Sequence, residues 1–280
     1  MSDATTLRYP NRQPMPSNVV RALLLTGKIG FLSRDMWNTF FGEGSDRWQR
    51  QQIAHLVSRG YLRPHSNPEA RSTFVLGRNG IGFVESQGAS VVTPPPVTYL
   101  AHDGVVAKSL MELQEHRLLK RWVCEREMKR DGVKNYLVSN RDGDLKYPDA
   151  VFEIHAFGKL RTVALEYERE RKSLSRYKNI LWQYSGLTNI SMVVFVYQRK
   201  NIKTTIEAAM KYLGQTALTD RLAFVDAEEW KQSPHHAPIT LKTGEIKLAV
   251  ACKRFEGKSR HEGCSLSCSA AEQHETEETE

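Results

Sequence analysis

Three carboxylates in the middle of the chain have the types and spacing to hold a hard metal ion. Asp149 opens the strand-like segment Tyr147-Pro148-Asp149-Ala150-Val151-Phe152-Glu153-Ile154, and Glu166 and Glu168 lie in Val163-Ala164-Leu165-Glu166-Tyr167-Glu168. A strand's period of two places Glu166 and Glu168 on one face. A turn at Phe157-Gly158-Lys159 joins the two segments as an antiparallel hairpin and brings Asp149 within reach of both glutamates. Val163, Leu165 and Tyr167 then face the other way as anchors, and the small Ala164 leaves room beside the acids. Carboxylate oxygens suit Mg²⁺ or Mn²⁺. Such an ion lowers the pKa of a bound water and neutralises charge at a phosphodiester. Lys172, at the end of the second strand, is the cation expected to orient the water or stabilise the developing charge.

The elements that must position these residues follow from pattern and caps. The second domain starts near Tyr99, and Asp103 or its neighbour caps one long helix through about Arg130 that carries Val106, Leu110, Leu113, Leu118, Leu119 and Trp122. Residues 135–139 read as a first strand, followed by the carboxylate hairpin and a helix over 172–186. The apolar run at 191–197 suits a buried central strand. Residues 204–213 read as a helix and 221–225 as a short strand. The expected order is α-β-β-β-α-β-α-β around a central mixed sheet.

Upstream, residues 18–26 carry apolar positions at helical spacing, Ser33 caps a helix to Phe40, and Ser45 or Asp46 caps a third helix that ends at Gly60. Two short strands around a Pro64–Pro68 turn complete the order of a winged helix-turn-helix. In that reading the third helix enters the major groove. Its outward residues are Arg47, Gln49, Arg50, Gln51, Gln52 and His55, and Arg63 and Arg71 lie on the wing near phosphates. Trp37, Phe40, Phe41 and Trp48 read as its core. The domain plan is therefore a loose arm at 1–17, a winged helix at 18–87, a linker at 88–98 containing Pro94-Pro95-Pro96, a catalytic domain at 99–250 and an acidic disordered tail at 251–280.

Bulk properties agree with this plan. The chain has 280 residues, and a net charge of +8 favours a polyanionic partner such as DNA. No apolar run approaches the roughly 20 residues that span a bilayer, and the four cysteines lack disulfide-like spacing. A cytoplasmic protein with no membrane partner is expected.

The motif order is specific enough to suggest a family. Pro148-Asp149 and then Glu166-Tyr167-Glu168, within α-β-β-β-α-β, resembles the PD-(D/E)XK nuclease superfamily, whose last motif position is usually lysine and is Glu168 here. Adding the winged helix, the proline linker, His102-Asp103 in the long helix and the run Val163 to Ser173, the chain resembles the replication-relaxation family, which includes the MobC-type plasmid mobilization relaxases. The resemblance covers about residues 18–230. It implies a restriction-endonuclease-like domain in which Asp149, Glu166 and Glu168 hold Mg²⁺ or Mn²⁺. It also implies site- and strand-specific nicking at a plasmid origin of transfer, alongside relaxosome accessory and coupling proteins. The alternative is a non-catalytic DNA-binding replication or transcription regulator, and a third reading is a relaxosome accessory protein.

Other candidates are weaker. His235-His236 lies in a proline-bordered loop rather than a His-x-His strand, Tyr9 has no partners, and His261, Cys264, Cys268 and His274 are irregularly spaced for zinc.

Overall fold

The computed structural model describes residues 14–136, 138–139, 145–214 and 216–253. In chain order the elements are α1 (Ser17–Ile29), β1 (Leu32–Ser33), α2 (Arg34–Phe40), α3 (Asp46–Ser58), β2 (Leu62–Pro64), β3 (Thr73–Leu76) and α4 (Arg78–Ser86). There follow α5 (Val97–Glu115), β4 (Leu119–Cys124), α6 (Glu125–Asp131), β5 (Val138–Ser139), β6 (Leu145–Lys146), β7 (Ala150–Ala156) and β8 (Lys159–Glu168). The chain continues with α7 (Leu174–Gly186), β9 (Met192–Tyr197), α8 (Lys200–Leu213), α9 (Thr216–Thr219), β10 (Leu222–Asp226), α10 (Ala227–Gln232), β11 (Ile239–Leu241), β12 (Gly244–Ile246) and α11 (Leu248–Ala251).

The centre is a seven-stranded mixed sheet of order β12-β11-β10-β9-β8-β7-β4. β4, β7 and β8 pair antiparallel, β8, β9 and β10 pair parallel, and the β11–β12 hairpin returns antiparallel. The β7–β8 hairpin turns at Phe157 (φ 52°) and Gly158 (φ 74°). Two successive left-handed residues match the twist of a tight hairpin, and glycine carries the second without strain. The parallel steps need crossovers, which α7 and α8 supply.

Alternation along the strands divides the core in two. Val163, Leu165, Tyr167, Val194 and Val196 pack with Val106 and Leu110 of α5 and with Trp230 of α10. Val151, Ala164, Val193 and Phe195 pack with Tyr177, Leu181 and Tyr184 of α7 and Ile202 and Ile206 of α8. Ala164 is fully buried within that second layer, so it opens no space beside the acids.

The first layer runs on without a break into the N-terminal elements. Leu23 of α1, Trp37 of α2 and Leu56 of α3 belong to the same buried cluster as the sheet residues. α1, α2, α3 and α4 surround a three-stranded antiparallel sheet of order β1-β3-β2. Ser33 caps α2 by accepting from Met36 N at 3.1 Å, and Ser45 caps α3 by accepting from Trp48 N at 3.4 Å, as expected from side chains that satisfy free N-terminal amides. The 88–98 segment lies against α1, with Val92 buried and its N–H donating to Gly27 O at 2.9 Å.

Three expectations need correction. The long helix expected from Asp103 to about Arg130 is instead most of α5, the strand β4 and the short helix α6. Arg117, at φ 59°, breaks the helical path, and Leu119 and Trp122 become strand residues. β4 therefore takes the place expected for residues 135–139, of which only Val138–Ser139 form a short strand, paired with β6 outside the main sheet. Asp103 does not open α5: Pro96 precedes its first turn, and His102 and Asp103 lie inside it. Tyr9, His261, Cys264, Cys268, His274 and nearly all of the acidic tail lie outside the described residues. Among the described residues, no helix is long and apolar enough to cross a membrane.

Candidate active site

Buried carboxylates gather where β8 leaves the sheet and β7 enters it. One step beyond the Ala150↔Leu165 pair, the register sets Asp149 opposite Glu166, with Glu168 two residues further on the same face. Asp149 Oδ2 accepts from Tyr167 N at 2.7 Å, which fixes the two strand ends to each other. Glu166 and Glu168 are 1% and 2% exposed. Carboxylates that deep require cationic or hydrogen-bonding partners.

Each acid has its own. Glu166 Oε2 accepts from Lys146 Nζ at 2.5 Å, and its Oε1 accepts from the Tyr184 hydroxyl at 2.5 Å. Both oxygens of Glu168 accept from Lys172 Nζ, and the Tyr177 hydroxyl lies 3.5 Å from Oε2. His102 Nε2 lies 3.3 Å from Asp149 Oδ2 and 3.2 Å from the Tyr167 carbonyl oxygen. Its Nδ1 faces Asp103 Oδ1 at 3.1 Å, and Asp103 in turn accepts from Arg126 Nε at 3.0 Å. The result is a chain of alternating charge from Arg126 to the main chain of β8.

Protonation follows these contacts. Burial alone would lower the pKa of His102, but Asp103 and Asp149 push it up to about 10, so the ring is an imidazolium donating from both nitrogens. Burial would raise Asp149, yet the hydrogen bond and charge of His102, helped by Lys146, hold it below the usual carboxylate range. Glu166 goes the other way. Burial raises it, and the neighbouring Asp149 and Glu168 charges outweigh part of what Lys146 restores. Burial would lower Lys146, but Glu166 and Asp149 more than reverse that, so it stays charged. The neighbouring carboxylates thus titrate apart, with Asp149 the one held ionised.

The donor set suits a hard divalent ion at one point above all. Asp149 Oδ2 and the Tyr167 carbonyl already converge on one cationic N–H, and Asp149 Oδ1 carries no hydrogen bond among the described residues. Glu166 and Glu168 have both oxygens engaged within the chain, and the acids do not bring three oxygens within 4.8 Å of one another. An ion bound here would rest first on Asp149 Oδ1, with Glu166 joining by releasing Lys146.

Of the residues singled out in the sequence, Asp149, Glu166, Glu168 and Lys172 therefore lie together. His102, set aside there as a cap, makes the central contact to Asp149; Lys146 and Arg126 had no sequence signal, and Tyr177 and Tyr184 read only as inner-side residues of the 172–186 helix. On α3, Arg47, Arg50, Gln51 and His55 are exposed and Gln52 is half-buried, and Arg63 and Arg71 are exposed near β2 and β3. Gln49 departs from the expected outward face. It is 8% exposed, and its Nε2 donates to Gly44 O at 3.2 Å. Trp48 departs the other way: expected in the core, it is 51% exposed. The two swap places because α3 turns its Gln49–Ile53–Leu56 stripe inward.

No family model matches the chain, and no curated protein matches it. Among solved structures, the restriction endonuclease FokI bound to DNA aligns with 9% identity and a TM-score of 0.26, over 76% of this chain and 43% of that one. The chain thus spans less than half of that endonuclease's length, and a likeness so distant carries over no residue.

Proposed function

We propose that the chain is a metal-dependent DNA nuclease that nicks one strand at a plasmid origin of transfer, as a mobilization relaxase does. The observation that carries this reading is the pairing of Asp149 and Glu166 across the ends of β7 and β8, within the order α5-β4-β7-β8-α7-β9. Three antiparallel strands, a crossover helix and a parallel fourth strand form the frame on which the resemblance to PD-(D/E)XK nucleases rests.

In this reading residues 18–87 are a winged helix-turn-helix, with α3 as the groove helix, and 99–250 are the nuclease domain. Arg47, Arg50 and Gln51 face DNA from α3, and Arg63 and Arg71 hold phosphates from the wing. Mg²⁺ or Mn²⁺ bound at Asp149 would polarise the scissile phosphate and acidify a water. Asp149 offers the ionised carboxylate, and His102 and the Tyr167 amide orient it. Glu166, with its raised pKa, is suited to take a proton from water once Lys146 turns away, and the Tyr184 hydroxyl holds its other oxygen in place. Lys146 and Lys172 supply the positive charge that the family carries at the position of Glu168. Relaxosome accessory proteins would be the protein partners.

A second reading has its own observation. Both oxygens of Glu166 and of Glu168 are bound within the chain, as in a nuclease domain that has lost cutting and only binds DNA. One experiment separates them. Supercoiled plasmid carrying its transfer origin is incubated with the protein in Mg²⁺ or Mn²⁺, and binding is followed in parallel by gel shift. Nicked circles that disappear in Asp149→Asn and Glu166→Gln, with binding kept, support the nuclease. Tight binding with no conversion in either ion refutes it, and a 5′ end covalently joined to protein would assign the cut to a tyrosine instead.

A further inference from the structure

A separate cluster lies at the opposite end of α5 from His102. Glu112 and His116 are four residues apart, so they share a helix face at its C-terminal turn. His235 meets them from the loop between α10 and β11. Glu112 Oε1 is 3.1 Å from His235 Nδ1, and the His116 and His235 rings have centroids 3.7 Å apart and planes tilted by 30°. One donor atom from each of the three lies within 4.8 Å of the others, and no other such group of histidine, cysteine and acidic side chains occurs among the described residues.

The loop is held rather than loose. His236 N and Ala237 N both donate to Ser233 O, and Ala249 N donates to His235 O at 2.8 Å, which ties the loop to α11. The side chain of His235 is 12% exposed and that of Glu112 is 28% exposed. An ordinary histidine–carboxylate pair explains Glu112 with His235 but leaves His116 against the same ring.

We propose that Glu112, His116 and His235 form a Zn²⁺-class transition-metal site joining the end of α5 to the α10–β11 loop. Two imidazole nitrogens and one carboxylate oxygen suit a borderline ion such as Zn²⁺ and suit Mg²⁺ poorly. Three protein ligands leave a fourth position for water or for His236, whose ring centroid is 4.2 Å from that of His235. Because α5 also carries His102, an ion here would fix the rotation of the helix that reaches Asp149. The site does not depend on the nuclease reading.

The test uses full-length protein stripped of metal, with Cys264→Ser and Cys268→Ser so that tail thiols capture nothing. Co²⁺ is the spectroscopic probe and Zn²⁺ the stabilising one. One equivalent of Co²⁺ should give visible ligand-field absorption, and Zn²⁺ at about a hundredfold over its Kd should raise Tm by roughly 5–10 °C. His235→Ala and the conservative Glu112→Gln should each weaken Co²⁺ binding by about tenfold or more. Excess Mg²⁺ should not displace the Co²⁺. The proposal is overturned if absorption and Tm shift are absent, if Glu112→Gln leaves both unchanged, or if Mg²⁺ displaces the ion, which would place it on the carboxylates around Asp149.

Discussion

Replacing Lys146 with methionine removes the cation held against Glu166 while keeping most of the side chain's length. Glu166 is 1% exposed, and the partner left to it is the Tyr184 hydroxyl at 2.5 Å. Taking one member from a buried ion pair costs about 3–5 kcal/mol. The Lys146 side chain is 32% exposed, so water recovers part of that loss, and about 2–3 kcal/mol remains at pH 8. The deficit depends on pH with a definite sign. The folded pKa of Glu166 lies above 4.5 because burial penalises its charge. A carboxyl raised on folding binds more protons folded than unfolded between the two pKa values, so stability falls as pH rises through that window. Lys146 is raised above 10.5, so its own contribution stays constant below that pH. Without Lys146, Glu166 rises further and the window extends upward. The variant should therefore be weaker by about 2–3 kcal/mol at pH 8 and by about 1 kcal/mol at pH 5, where Glu166 protonates cheaply. Urea unfolding at both pH values reads the difference, and the double variant Lys146→Met with Glu166→Gln should recover most of the loss at pH 8. A deficit independent of pH, or a double variant no more stable than the single one, refutes the reasoning.

Four further outcomes follow from the same structure. His102 has a folded pKa near 10 against 6.5 unfolded, so its stabilisation is complete below pH 6.5 and fades as pH rises toward 10; NMR titration should find the ring charged at pH 8, and Asp149→Asn should lower its pKa. Arg47→Ala and Arg50→Ala should weaken DNA binding, and removing a cation that sits on a phosphate should flatten the salt dependence by about 0.9 in log–log slope, whereas Gln49→Ala, at a buried position, should leave that slope unchanged in anisotropy titrations. Gly80→Ala would set a Cβ 2.1 Å from Tyr61 O and should cost about 1–3 kcal/mol in thermal unfolding, while Gly82→Ala in the same helix meets nothing within 4 Å and should stabilise by about 0.5–1 kcal/mol. Tyr184→Phe removes a hydrogen bond to a buried carboxylate and should cost about 1.5–3 kcal/mol, less at pH 5 than at pH 8.

The parts legible from sequence are those whose signals are local. The β7–β8 hairpin announced itself by alternation and by Phe157-Gly158, β9 by its unbroken apolar run, and α2 and α3 by Ser33 and Ser45. β4 was hidden because Leu118, Leu119 and Trp122 continue a helical spacing from Leu110. The break is a left-handed backbone at Arg117, a residue type that gives no warning of it. The acids of the site were readable because they repeat at period two on one strand. Their partners were not, since Lys146 is 20 residues from Glu166, Tyr184 is 18, and the Tyr167 carbonyl that His102 reaches is 65 residues away. Gln49 and Trp48 show the same limit on α3, where the inward face is chosen by packing against β2 rather than by residue type.

The distribution of charge bears most directly on how the site would work. Where the resembling family has one lysine at the third motif position, this chain has Glu168 and brings in two lysines, Lys146 from the strand before β7 and Lys172 from the segment before α7. With His102, three cations face Asp149, Glu166 and Glu168. So balanced a cluster folds without strong internal repulsion, and it offers a lone divalent ion little net attraction. A phosphodiester changes that balance. In the proposed nuclease it would draw Lys146 away from Glu166, free an oxygen beside Asp149 and add negative charge of its own. Under that proposal metal and DNA would assist each other's binding, and the site would assemble fully when both are present. The two lysines would then be more than substitutes for one at position 168: in the proposed nuclease they would tie metal affinity to the arrival of the strand to be cut.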